Sequence, residues 1–280
     1  GISLTIMDAA NSQRTQDDQV QEMINNGCDI LCVNLADRTD PSEIIDTARE
    51  NDVPIIFFNR EPVEEDLMQW NKLYYVGAEA KQSGQMQGEL AADYIKENPS
   101  VDKNSDGKIQ YVILEGELGH QDAIIRTESV AESMKENGVE LEKLSYQTAN
   151  WNRAQAQNRM TQLIGQYKNS IELVIANNDA MALGAMDAYE KLGITDSNYP
   201  VFFGIDGTDE GLEAVRQSKL AATVYNDKEG QAYTMAQLAY AVVTGYGMNN
   251  IGFENKKYIY LPYKKVTAGN VTEFIDNIQD

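Results

Sequence analysis

Asn152-Arg-Ala-Gln-Ala-Gln-Asn-Arg-Met-Thr-Gln-Leu-Ile-Gly-Gln-Tyr167, followed five residues later by Leu173-Val-Ile-Ala-Asn-Asn-Asp179, decides the fold class. In the first part Ala156, Met160, Leu163, Ile164 and Tyr167 recur at spacings of three and four, which places them on one face of a helix. The second part is a short apolar run that ends abruptly in polar residues. The same alternation extends in both directions. Apolar, β-branched or aromatic runs fall at 2–7, 30–35, 54–58, 109–114, 144–148, 173–176, 201–205, 222–225 and 258–261. A second helix is predicted over 15–26, with Val20, Met23 and Ile24 on one face and Gly27 as its stop. Strand alternating with helix means parallel sheets covered on both faces, an α/β fold.

Composition narrows the function. With 44 acidic against 23 basic residues the formal charge is −21, which argues against nucleic acid and anionic lipid as partners. At 42% apolar and 24% charged, the 280 residues are a globular composition long enough for two domains. No apolar run is long enough to span a membrane, and the N-terminus lacks a signal-peptide pattern. Cys28 and Cys32 bracket the start of the 30–35 run; along a strand they stand ~13 Å apart, too far for a disulfide. Both are read as small buried hydrophobes.

In such sheets ligands bind beyond the carboxyl ends of the strands. The residues there are alike: Asn59, Gly116-Glu-Leu-Gly-His-Gln-Asp122, Trp151 after Ala149-Asn150, Asn177-Asn178-Asp179, Asp206 and Asn226-Asp227. Arg126 lies one helical turn beyond Asp122. Amides, carboxylates and a guanidinium can each address neighbouring hydroxyls, and an indole face covers the C–H patch of a sugar. The alternative at any single position is a turn former or helix N-cap. Its recurrence at six strand ends favours a neutral polyol.

The segments Val53-Pro-Ile-Ile-Phe-Phe-Asn-Arg-Glu-Pro62, Tyr74-Tyr-Val-Gly77, Gly116–Asp122, Val174-Ile-Ala-Asn-Asn-Asp-Ala-Met-Ala182 and Phe203-Gly-Ile-Asp206 resemble the bacterial galactose/glucose-binding proteins, in order along the whole chain. The resemblance implies the type I periplasmic-binding-protein fold: two Rossmann-like lobes with parallel sheets, joined by three crossovers and closing over one sugar. It implies an extracytoplasmic receptor for D-galactose or D-glucose, serving the membrane subunits of an ABC transporter and a chemoreceptor. Carried over by position, the sugar contacts are Asn59, His120, Asp122, Arg126, Trp151, Asn178, Asp206 and Asn226. Arg126 and Asp206 would make bidentate contacts, Asp122 and Asn178 would anchor further hydroxyls, and Trp151 would stack on the ring. His120 would donate as a neutral imidazole; its alternative is a helix cap.

Asp102-Lys-Asn-Ser-Asp-Gly-Lys-Ile-Gln110 places oxygen donors at alternate positions and Gly107 at the sixth, as in an EF-hand loop. Position twelve is Ile113, so the loop lacks its closing acid. The resemblance implies that a distant residue, Glu172, supplies it, giving a structural Ca²⁺ cage of Asp102, Asn104, Asp106, the Lys108 carbonyl, Gln110 and Glu172. An Asx-rich turn is the alternative.

The resemblance also implies lobes of 1–77 with 227–262 and 78–226 with 263–280. It begins at the family's second strand, so the first strand and helix are expected to be missing, with the run at 2–7 as strand two. Lobe one would then lack a central strand, an aspartate and a stacking aromatic, and would be poorly stable by itself. A preceding βα unit is expected in the natural protein, and a monomer unless another chain fills the gap.

Enzymes fare poorly: Gly-x-Ser-x-Gly, P-loop and Gly-x-Gly-x-x-Gly patterns are absent, and there is one histidine. Asp122 and Asp206 could serve glycoside hydrolysis, but Arg126 is expected to hold both ionised. The nearer rival is the sugar-sensing core of a LacI-type regulator or of a membrane sensor.

Overall fold

The structure, a computed structural model, describes residues 2–195 and 198–275. In chain order its elements are α1 (Gln13–Asn25), β1 (Leu31–Val33), α2 (Ser42–Glu50), β2 (Ile55–Phe58), α3 (Glu64–Leu67), β3 (Leu73–Gly77), α4 (Ala80–Glu97), β4 (Ile109–Glu115), α5 (Gln121–Glu136), β5 (Leu141–Thr148), α6 (Arg153–Tyr167), β6 (Leu173–Ala176), α7 (Asp179–Lys191), β7 (Val201–Phe203), α8 (Asp209–Arg216), β8 (Ala222–Tyr225), α9 (Lys228–Thr244), β9 (Tyr258–Tyr260), β10 (Lys264–Thr267) and α10 (Thr272–Ile275). The chain divides into two compact units, Gly1–Ala78 with Asp227–Leu261 and Glu79–Asn226 with Pro262–Asp280. Residues 276–280, expected in the second lobe, lie outside the described residues.

The first unit holds a parallel sheet in the order β1-β2-β3-β9. Strand alternation splits its core. Leu31, Val33, Ile55, Phe57, Leu73 and Tyr75 pack with Val20, Ile44, Ile45 and Ala48 of the helices on one face. Ile56, Tyr74 and Val76 turn to the other face and meet Leu238 of α9. Ser12 caps α1, accepting from the Thr15 N–H at 3.2 Å, and Gly27 ends it at φ +81°.

The second unit holds a six-stranded sheet in the order β10-β8-β7-β6-β4-β5, parallel except for the antiparallel β10–β8 pair. Val112, Leu114, Val174, Ala176 and Phe202 face α6 and α7, which contribute Ala156, Met160, Leu163, Met181, Ala185 and Tyr189. The helical face read from the sequence at 156, 160, 163 and 164 is therefore the buried one.

Several expectations need correction. Residues 2–7 form no strand: Ile2, Leu4 and Ile6 are 85%, 79% and 83% exposed. Their alternation favours an extended chain, but a strand also needs a hydrogen-bonded neighbour. Cys32 is exposed and Cys28 half-buried, both as free thiols. The Cys32 position on β1, the edge strand, points away from the side that buries Leu31 and Val33. Two strands were not anticipated. β3 is rich in tyrosine, and β10 is a short antiparallel edge strand that begins with two lysines.

Candidate functional site

The carboxyl ends of β4, β5, β6, β7 and β8 bring seven of the expected residues together in the second unit. The loop after β4 ends at His120, whose Nδ1 accepts from the Asp122 N–H at 3.1 Å and so caps α5. That bond places the imidazole proton on Nε2. The capping role weighed from the sequence is thus present, and it orients the ring. Asn178 is likewise a cap: its Oδ1 accepts from the Met181 N–H at 2.9 Å, and its Nδ2 donates to the Trp151 carbonyl at 3.4 Å.

Arg126 occupies the centre, buried to 4% exposure. Its Nη1 donates to the Asn177 carbonyl at 2.8 Å and its Nη2 to the Tyr263 hydroxyl at 3.0 Å. The carboxylates stand further off, Asp122 at 3.5 Å and Asp206 at 3.7 Å. Its Nε is buried and has no hydrogen-bond partner among the described residues. A buried donor of this kind is costly unless a ligand or water meets it.

Trp151 borders the guanidinium, with the Arg126 Cζ 5.7 Å from the indole centroid, and His120 meets the indole edge-on with centroids 5.1 Å apart. Asn150 and Trp151 both take left-handed backbone, at φ +52° and +61°, which turns the indole back over the end of β4. Gly116 makes room for it, since a Cβ there would collide with the indole ring. Asp206 sits at φ +115°, its carbonyl accepting from the Asn226 N–H at 2.9 Å.

Charge in this cluster runs to excess acid. Burial raises the Asp206 pKa to about 6; Arg126 pulls it down and Asp122 pushes it up. Arg126 therefore does not hold Asp206 at an ordinary carboxylate value, contrary to the sequence expectation, because desolvation outweighs the ion pair.

Asn59 belongs to the first unit and is exposed at the carboxyl end of β2 with φ +59°. Its carbonyl accepts from the Tyr75 hydroxyl at 3.0 Å, and its Nδ2 reaches Asn34 at 3.4 Å.

Sequence reasoning missed Tyr263 and the supporting role of Asn177. The Asn177 Oδ1 accepts from the Gly116 N–H at 3.0 Å, tying β6 to the loop after β4. Asn177 lay within the polar strand end already noted, whereas nothing local marks Tyr263.

The loop at 102–110 folds on its own oxygens. Asp102 accepts from the Asp106 and Gly107 N–H groups at 3.2 and 2.9 Å, and Asp106 from the Lys108 N–H at 2.8 Å. Gly107, at φ +81°, makes the sharp turn. The Asn104 amide touches Asp106 and Gln110 at 3.0 and 3.2 Å. Glu172, 1% exposed, immediately precedes β6, accepting from Lys103 N–H at 2.6 Å and Gln110 N–H at 3.0 Å. Burial raises its pKa against those amides. No three acidic, histidine or cysteine side chains among the described residues converge tightly enough to hold a metal by themselves. The donors are all oxygen, however, with a buried carboxylate at the loop's base, and so fit a hard cation served partly by amides and a carbonyl.

Residues 1–247 match the family described as periplasmic binding protein domain. The chain is 36% identical over 278 residues to the D-galactose/methyl-galactoside binding periplasmic protein MglB of Haemophilus influenzae, covering 98% of this chain and 83% of that protein. It is 31% identical over 277 residues to a putative rhizopine-binding protein of Rhizobium meliloti, covering 98% and 82%. A solved ABC transporter solute-binding protein of Bacillus halodurans, with myo-inositol bound, superposes with a TM-score of 0.80 at 32% identity, covering 96% of this chain and 85% of that one.

Proposed function

Because the chain belongs to the periplasmic binding protein family, we propose that it is an extracytoplasmic receptor that binds one D-galactose or D-glucose and delivers it to an ABC transporter. It is a binding protein, not an enzyme, as its relatives are. No helix among the described residues is long and apolar enough to cross a membrane.

The observation that carries the sugar reading is the gathering of Asp122, Asp206, Trp151, His120 and Asn178 near the buried Arg126 guanidinium, whose Nε lacks a partner among the described residues. Asp122 and Asp206 accept from sugar hydroxyls, Arg126 and His120 Nε2 donate, and Trp151 covers the C–H face of the ring. Asn226 is proposed as a further contact, and Asn59 is proposed on the resemblance alone. Calcium in the loop of Asp102, Asn104, Asp106, Lys108 and Gln110, with Glu172, is proposed as a structural ion. Service to a chemoreceptor is a further proposal, resting on the resemblance alone.

Calorimetric titration with D-galactose and D-glucose tests the reading. Saturable heat with either hexose supports it, and none with either rejects it. The inositol-bound relative supports a second reading, a cyclitol receptor, because a cyclitol offers the same ring of hydroxyls without a ring oxygen. Tighter binding of myo-inositol than of both hexoses would select it.

A further inference from the structure

We propose that Asp179 is the positioning residue of this site, gripping the turn that carries Asp206 on both sides of that residue. The inference rests on the sugar-binding reading above and adds to it a residue that touches no sugar.

Asp179 opens α7 and is completely buried. A first-turn acid ordinarily faces the free amides of its own helix. Here Asn178 already serves as the cap, accepting from Met181 N–H, and the Asp179 carboxylate turns to other elements. Its Oδ1 accepts from the Thr223 hydroxyl of β8 at 2.6 Å. Its Oδ2 accepts from the Thr208 N–H at 2.8 Å and the Thr208 hydroxyl at 3.3 Å, at the cap of α8. Its own N–H donates to the Ile205 carbonyl at 2.7 Å.

These bonds bracket Asp206. Ile205 precedes it and Thr208 follows it by two residues, so one side chain and its own amide fix both ends of a four-residue segment. That segment needs fixing, since Asp206 has a left-handed φ of +115° and Gly207 one of +65°. Such backbone persists only where its surroundings hold it. Two glycines admit the carboxylate: a Cβ on Gly204 would collide with Oδ1, and a Cβ on Gly211 with Oδ2. Thr223 and Thr208, two glycines and the strained turn thus all serve one buried acid, whereas a purely local helix acid requires none of them. The charged group facing it from the turn is Asp206, whose repulsion adds to burial in raising the Asp179 pKa.

The test compares wild type with Asp179→Ala, Asp179→Asn, Asp206→Asn and the Asp179→Ala/Asp206→Asn double variant by hexose titration. Amide exchange of Asp206 and Asn226 is followed in the sugar-free protein. Asp179→Ala is expected to weaken hexose binding ~10-fold or more, as its buried donors lose their acceptor. Asp179→Asn can still accept from Thr208 N–H and donate to the Thr223 hydroxyl, and is expected to recover affinity to within ~3-fold. The double variant is expected to lose less than the product of the single losses, because both changes act through one carboxylate. The Asp206 and Asn226 amides are expected to exchange faster in Asp179→Ala while those of β4 do not change.

Equal affinity of wild type and Asp179→Ala, or independent losses in the double variant, overturns the proposal and leaves sugar binding standing. If wild type binds no hexose the sugar reading fails, and unaltered exchange at Asp206 and Asn226 then overturns the positioning role separately. Should Asp179→Ala fail to fold, Thr223→Val removes one donor at nearly constant shape. It is expected to weaken binding ~3-fold, and unchanged affinity there is the overturning result.

Discussion

The Tyr263 hydroxyl accepts a hydrogen bond from Arg126 Nη2 at 3.0 Å, joining the middle of α5 to the segment that leads into β10. The tyrosine is 3% exposed and its own backbone N–H donates to Gln82 Oε1 of α4 at 2.7 Å, so the residue is held at both its backbone and its hydroxyl. The guanidinium takes its orientation from this neutral acceptor and from the Asn177 carbonyl, because its two carboxylate partners lie at 3.5 and 3.7 Å. Neutral acceptors hold the group while leaving both acids able to receive hydroxyls.

Tyr263→Phe removes that acceptor and little volume. Hexose affinity is expected to fall about 3- to 10-fold, the range for losing one hydrogen bond to a charged donor that keeps its others. Calorimetry measures it. Unaltered affinity would mean that the Asn177 carbonyl alone sets the guanidinium.

Stability should fall as pH rises from acid to neutral through Asp179. Burial, and then the Asp206 charge, raise its folded pKa to about 7 against the lowering effect of Thr223 and Thr208. Unfolded, an aspartate titrates near ~3.9. Between these values the folded state binds more protons than the unfolded, so this contribution is fully present below about pH 4 and is lost as pH rises through about 7. Asp179→Asn removes the ionisation. Its melting temperature relative to wild type is expected to rise by several degrees between pH 5 and pH 8, at constant ionic strength. A difference independent of pH would contradict the assignment.

The fold was largely legible because an apolar run between helical periods has one economical packing, a parallel sheet under helices. What failed is instructive. The run at 2–7 has the same alternation as a strand, but alternation specifies a face and cannot supply the neighbour that makes the strand. β10 went unseen because Lys264 and Lys265 mask a half-buried edge. At the site, His120 and Asn178 were visible as polar residues after apolar runs, and they prove to be helix caps as well as members of the cluster. The two readings weighed at those positions were not exclusive, since a cap at a strand end is what fixes such a side chain. Tyr263 was invisible as a site residue because its partner Arg126 lies far along the sequence, and Asp179, although noted at a strand end, carried no local sign of its bonds to Thr208 and Thr223.

The proposed calcium loop gives a clear test through Glu172. With a cation bound, the carboxylates of Asp102, Asp106 and Glu172 would be neutralised in a loop that otherwise holds them close. Chelation with EGTA is expected to lower the melting temperature of the wild type by several degrees, restored by added Ca²⁺. In Glu172→Gln, which keeps an acceptor for one amide but loses the buried charge, EGTA is expected to change little. A wild type indifferent to chelation after exhaustive metal removal would leave the loop as a self-bonded turn.

Trp151 offers the most direct optical readout, because the chain has only one other tryptophan, Trp70, which packs at the core of the first unit. The indole is seated over Gly116 and bordered by Arg126 and His120, so a sugar stacked on it should alter its emission. In Trp70→Phe the hexose-induced change is expected to persist, and in Trp151→Phe to vanish with affinity reduced about tenfold. Gly116→Ala should mimic that loss without touching a polar group, since the new methyl displaces the indole. If Gly116→Ala binds hexose normally, with the emission change intact, the stacking role of Trp151 is wrong. The polar cluster would then have to account for recognition by itself.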